Sequence, residues 1–345
     1  MAAARTYAPR LDSLHPAAAM PGAEVTLRGV RLLHSDLPFA RIGDVPARLH
    51  LARRDRAILS VPEGAVPAAV TLTVQGRASN PLPLAVALPL AEDLHPVANP
   101  AVGPHGELYA TLSGPRGEQT PVSIFRIEPD GSSRPFVRGL LNATGLAFGP
   151  DGDLYATSRA EGSVHRITPE GATSLYAEGL GVATGIAFDR EGNLYAGDRS
   201  GTIFKIDPDR RIFVFATLEP SVSAYHLAFH PDGTLFVTGP TTSSCDVVYA
   251  IDPHGAISVH FRGLGRPQGL AVGPDGALYV AASLAGARGV VRIDENRAAS
   301  LFLAGNDLVG LAFTPNGQGE IDGLALATNT ALFHVTLNLA APSLF

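Results

Sequence analysis

Among the 345 residues there is one cysteine, Cys245, so no disulfide can staple the chain to itself, and packing and backbone pairing must hold it together. Basic residues are also scarce: 26 Lys plus Arg stand against 32 Asp plus Glu, a net charge of −6 with no basic stripe. That balance excludes a general attraction to nucleic acid or to an anionic membrane surface. Long apolar runs are missing too. The greasiest stretch, residues 82–91, is short and broken by prolines, and the opening MAAARTYAPRLDSLHP lacks the apolar core of a secretory signal, so a cytoplasmic location is expected. No glycine-rich phosphate loop and no nucleophile elbow is present; the Pro-Asp-Gly clusters read as hairpins.

What is abundant is punctuation. With 37 Gly, 28 Pro and 46% apolar residues the chain is rich in turns and can bury a large core, as all-β proteins do. From about residue 100 onward one phrase recurs six times, most cleanly as GLAFGPDGDLYA at 145–156. Its turn glycines, read as Gly106, Gly152, Gly192, Gly233, Gly276 and Gly317, are spaced by 46, 40, 41, 43 and 41 residues, the interval of a four-stranded propeller blade. Each repeat opens on a short apolar run bounded by turn residues, too brief for a helix, and continues through a hairpin into further alternating strands.

The C-terminal repeat stops one strand short. The missing strand is expected upstream, because LPLAEDLHPVANPAV at 88–102 aligns with LYAEGLGVATGIAF at 175–188. The reading is therefore all-β: a small immunoglobulin-like β-sandwich plus a six-bladed β-propeller closed by an N-terminal strand. Residues 1–8 are expected as a tail, 9–87 as the sandwich and 88–345 as the propeller. Closure removes the sheet edges that otherwise invite intermolecular pairing.

Residues 9–87 alternate apolar and polar side chains between Pro and Gly breaks, and the phrases PGAEVTLRG, IGDVPA, LSVPEGA and VTLTVQGRASNPLPLAV resemble the IPT/TIG family of immunoglobulin-like domains. That resemblance implies a spacer or interaction module. GLAFGPDGDLYATS and GIAFDREGNLYAGDRSGTIFKIDPD resemble the NHL-repeat and gluconolactonase-like six-bladed propellers across about residues 88–337. The gluconolactonase likeness implies a divalent cation, held by a Glu at the start of the first inner strand and by Asn and Asp just before the glycines of later repeats. This chain departs from that pattern. The Glu position is Ala98 or Asn99, and the pre-glycine positions are Thr144, Thr184, Tyr225, Gln268 and Val309, so no metal is expected.

Strand order places two sets of loops on the face opposite the GPDG turns. Asn99, Thr144, Thr184, Tyr225, His226 and Gln268 are expected around a central channel, with Arg159, Asp198, Arg199 and Thr241 beyond the second strands, as candidates for binding a small polar molecule or a protein. His226 stands where other repeats have glycine. With Asp198 and Tyr225 it is a candidate catalytic group, against a reading as a hydrogen-bonded filler of a widened channel. The pair Asp198 and Arg199 reads either as substrate-orienting or as a tie between neighbouring loops. Cys245 reads either as a nucleophile served by His226 or as a small buried hydrophobe, and Ser243 and Ser244 have no nucleophile context. His105, His230 and His254 read as solvated turn residues. Two functions follow: a recognition module without a cofactor, or a hydrolase of a lactone or related ester, the latter alone calling for Ca²⁺. Neither involves nucleic acid or a membrane.

Overall fold

The computed structural model describes residues 8–243 and 245–337, and among these there is strand and turn but no helix, hence none long and apolar enough to cross a membrane. Most of the expected tail, the last eight residues and Ser244 lie outside the described residues. Two compact units form. One gathers the chain up to Leu88 with Leu301–Asn306 and the residues from Val335 on; the other comprises Pro89–Ser300 and Asp307–His334.

In the first unit the alternation read from the sequence becomes two faces. Along Glu24–Val30 the side chains of Val25 and Leu27 turn inward while Glu24 and Arg28 face solvent, as the two-residue period of a strand requires. This strand sits between Arg10–His15 and Arg56–Ser60, with Leu49–Ala52 at the edge. A second set pairs Phe39–Ile42 with Ala68–Val74, and Ala68–Val74 with Leu82–Val86. Ala18–Ala19 runs parallel both to Leu82–Val86 and to Leu303 and Ala304. Val25, Leu27 and Leu59 from the first set and Ile42, Leu72 and Leu84 from the second share one core.

The second unit repeats a single four-strand pattern. Ala143–Phe148, Leu154–Ser158, Ser163–Ile167 and Thr173–Ala177 form one antiparallel sheet in chain order. Ala183–Phe188, Leu194–Asp198, Thr202–Ile206 and Ile212–Thr217 form the next, and Ala101–Val102, Leu108–Thr111, Ile124–Ile127 and Ser133–Val137 the one before. Near the C-terminus Leu308–Pro315, Ile321–Thr328 and Leu332–Thr336 take Leu88–Ala91 as their fourth strand. The two remaining groups are less separate than the repeat suggests. Leu264 and Gly265, at the end of Ile257–Gly265, pair with Leu284 and Ser283 of Leu278–Leu284, so the strands from His226 and those from Leu270 run on as one longer sheet.

Each first hairpin closes in the same way, with a glycine at positive φ donating its N–H three residues back. Gly152 (φ 82°) to Gly149 and Gly192 (φ 82°) to Asp189 are two examples. The last repeat departs from the expected spacing. Its left-handed turn residue is Gly319 (φ 82°), which donates to Asn316, and Gly317 is not in the left-handed region. An extended PNGQGE segment has moved the turn by two residues.

Aromatic side chains fasten one sheet to the next. The ring of Tyr155 stands edge-on to Tyr176 of its own outer strand and to Phe188 of the following inner strand, at centroid separations of 5.0 and 4.9 Å. Tyr195 does the same between Phe215 and Phe229, and Tyr109 between Phe136 and Phe148. Such contacts add about 0.5–1.5 kcal/mol each beyond their buried area.

Candidate functional site

The inner strands enclose a channel of about 350 Å³, whose wall includes Asn99, Gly145, Gly185, His226, Leu270 and Leu311. Close approach of backbone makes that wall. A Cβ on Gly185 would collide with the carbonyl of Tyr225 and come within 3.1 Å of the His226 Cα, so only glycine lets the two strands lie so near. Asn99 ties three inner strands at once: its Nδ2 donates to Leu270 O at 2.8 Å and its Oδ1 accepts from Leu311 N–H at 3.1 Å.

Most of the expected channel residues are committed to the framework. Thr144 is buried and donates to Asn142 O at 3.0 Å. Thr184 is buried, donates to Gly197 O at 2.8 Å and accepts the Tyr225 N–H at 3.1 Å. The Tyr225 hydroxyl donates to Glu219 O, and burial, ahead of the charge of nearby groups, pushes its phenol pKa upward. Gln268 is half-buried, with its carbonyl accepting from Thr238 at 2.6 Å. None of these four lines the channel; Asn99 and His226 do.

His226 is 2% exposed and its Nε2 has no hydrogen-bond partner. Burial lowers its pKa to about 4, against a hydrogen bond to the Gln268 side chain that acts in the opposite sense. The imidazole is therefore neutral at pH 7.

The loops after the second strands, at the end of the inner strands where Thr144 and Thr184 lie, carry the charged candidates, none of which lines the channel. Asp198 is buried; its Oδ1 accepts the Val182 N–H at 2.7 Å and its Oδ2 accepts from the Ser200 hydroxyl. Arg199 is exposed and donates to Val222 O at 2.8 Å. Arg159 is half-buried and reaches Gly114 O at 2.8 Å, while its Nε is buried without a partner. Burial, followed by the like charges of Arg199 and Arg116, lowers its pKa. Thr241 donates both its N–H and its hydroxyl to Asp246 Oδ1, at 3.0 and 2.7 Å, leaving the other oxygen of that buried carboxylate unpaired.

Cys245 is exposed, which overturns its reading as a buried hydrophobe, and its N–H donates to Ser243 Oγ at 3.1 Å. No hydrogen bond joins it to the Nε2 of His226 among the described residues. On the far face His230 pairs with Asp232 at 2.9 Å.

Two residues escaped the sequence reading. Buried Asn142, at φ 47°, gathers the loop of the first repeat by donating to Gly114 O and Pro115 O, each at 2.9 Å, and accepting the Gly117 N–H at 2.7 Å. Arg116 rides on that loop. Neither belongs to the repeated phrase, and the one available signal was the unusual length of the segment between the second and third strands of the first repeat.

The donors do not suit a divalent cation of the lactonase design. Asn99 already uses both ends of its amide, and no group of three His, Cys, Asp or Glu side chains comes together among the described residues.

Residues 185–206 match the family model described as strictosidine synthase-like, N-terminal. No curated protein matches the sequence. A structural genomics protein of unknown function from Bacteroides thetaiotaomicron is 12% identical with a TM-score of 0.59, over 96% of this chain and 98% of that one. An auxiliary nutrient binding protein from the same organism is 12% identical with a TM-score of 0.55, over 95% and 98%. A gluconolactonase from Xanthomonas campestris is 18% identical with a TM-score of 0.58, over 73% of this chain and 89% of that one. At such identities the likeness establishes the fold, an all-β propeller.

Proposed function

We propose that the protein is a recognition module: the four-strand groups close as a six-bladed propeller, residues 9–87 form an immunoglobulin-like sandwich of the IPT/TIG kind, and a small polar ligand or a protein partner is bound at the channel mouth. The observation that carries this reading is where unsatisfied polar atoms collect. Of the seven buried side-chain atoms without a hydrogen-bond partner among the described residues, four lie at or beneath one end of the inner strands: Ser113 Oγ, Arg159 Nε, His226 Nε2 and Asp246 Oδ2. Leaving such an atom unpaired costs about 1–3 kcal/mol, and a bound molecule that supplies both acceptors and donors removes that cost. The likeness to a nutrient binding protein over 95% of this chain, against 73% for a gluconolactonase, supports binding over hydrolysis.

Native mass spectrometry of the purified protein, followed by thermal-shift titration with whatever co-purifies, tests the proposal. A ligand whose binding weakens in His226→Phe, with the fold retained by circular dichroism, is the expected result. Stoichiometric metal together with chelator-sensitive hydrolysis of lactones would overturn it.

A further inference from the structure

We infer that the mouth carries a site for an oxyanion, the phosphate or carboxylate group of a small molecule, built by Arg116, Arg159 and Arg199; this deepens the recognition reading and rests on it. Arg159 and Arg199 occupy the same place in consecutive sheets. Each follows the end of a second strand, Leu154–Ser158 or Leu194–Asp198, and each N–H donates to the entry of the inner strand of its own sheet, Arg159 to Asn142 O and Arg199 to Val182 O, both at 3.3 Å. Arg116 is brought toward them by the preceding repeat, because Asn142 clamps its loop and Arg159 itself bonds that loop at Gly114.

The three guanidinium groups are near enough for Arg116 and Arg199 to act on the charge of Arg159, yet none makes an ion pair among the described residues. Two of the carboxylates on these loops are occupied, and the third, the exposed Glu118 on the loop of Arg116, pairs with none of the three arginines among the described residues. Asp198 holds Val182 and Ser200, and Glu161 faces Ser163 and His165. Gathering like charges on preorganised loops without a paired counter-charge is unfavourable until an anion joins them. In a chain with an excess of acidic residues, no general electrostatic pressure explains such a grouping. The buried, unpartnered Nε of Arg159 gives the site a donor already withdrawn from solvent, and Ser113, buried with an unpartnered hydroxyl beside Gly114, adds another. Guanidinium forks match the two oxygens of a carboxylate or phosphate, and adjacent arginines suit a dianion.

The test is calorimetric titration of the full chain with inorganic phosphate and with succinate at fixed ionic strength, in parallel with Arg116→Gln and Arg199→Gln. Both of those arginines are exposed, so the substitutions leave the core intact. Arg190→Gln, exposed in a turn on the opposite face, is the control. Saturable binding, weakened about tenfold by each mouth substitution and unchanged in the control, is the expected result. Preference between the two probes names the anion. Binding that is equal in all four proteins, or no saturable binding of either probe, overturns the inference. Should an uncharged molecule co-purify and depend on His226, the recognition reading survives while the anion class fails; should nothing bind at all, both fail.

Discussion

His226 is the side chain whose chemistry departs furthest from its solution behaviour. In the unfolded chain it titrates near 6.5, and in the folded protein burial lowers that to about 4. Above pH 6.5 both states are neutral there and the full stability is present. As the pH falls from 6.5 to 4 the unfolded state takes up a proton that the folded state refuses, so stability declines through that window, by up to about 3 kcal/mol for the full shift. Chemical denaturation of the wild type and of His226→Gln from pH 7.5 to 4 should therefore give two curves that converge as the pH drops, because the variant lacks this contribution. Parallel curves would mean that the imidazole titrates in the folded protein as it does in the unfolded chain. That His226 is unusual was legible at once, since it interrupts a column of glycines. That Thr184 and Tyr225 face the framework was not, because a period-two pattern assigns a side chain to a face without revealing its hydrogen-bond partner.

At the scale of elements, the inner strands are set by what fits between them. Gly185 lies against the Tyr225 carbonyl, and a methyl group there must push two strands apart. Gly185→Ala is expected to destabilise the protein by about 1–3 kcal/mol, read as a lower urea midpoint with an unchanged slope. Gly179→Ala makes a useful contrast: its added Cβ meets nothing within 4 Å, so any loss there reflects only its positive φ of 80°. The strands themselves were legible because GLAF, LYA and the Pro-centred turns repeat, each copy reinforcing the reading of the others. The last turn was misplaced for the same reason. A periodic template put it at Gly317, whereas the two additional residues of the PNGQGE segment let Gly319 take the left-handed position. The pairing of Leu264 and Gly265 with Leu284 and Ser283 was likewise invisible to a repeat-based reading, which expects separate sheets.

For the whole molecule, the contact that matters most joins the two ends of the repeat array. Leu88–Ala91 supplies the fourth strand beside Leu332–Thr336, a pairing of segments more than 240 residues apart that the alignment of LPLAEDL with LYAEGL made visible in the sequence. Without it, Leu332–Thr336 would present an unpaired edge, and an apolar edge strand is an aggregation site. The closing strand is held by more than its backbone. Ala91, 8% exposed, packs in one cluster with Leu108, Ile127, Ala325 and Leu332, so side chains from the first and last repeats meet around it. Ala91→Asp puts a carboxylate into that cluster with no cation among its members, at a cost of several kcal/mol. The expected outcome is a protein that unfolds at lower denaturant and forms soluble oligomers on size exclusion. Glu92→Asp, one residue on and exposed, should behave as the wild type. Since loss of the pairing frees the edge while most of the other sheets can persist, oligomers of Ala91→Asp should retain strand signal in the far-ultraviolet. If the variant instead stays monomeric and as stable as the wild type, the array does not depend on its upstream strand.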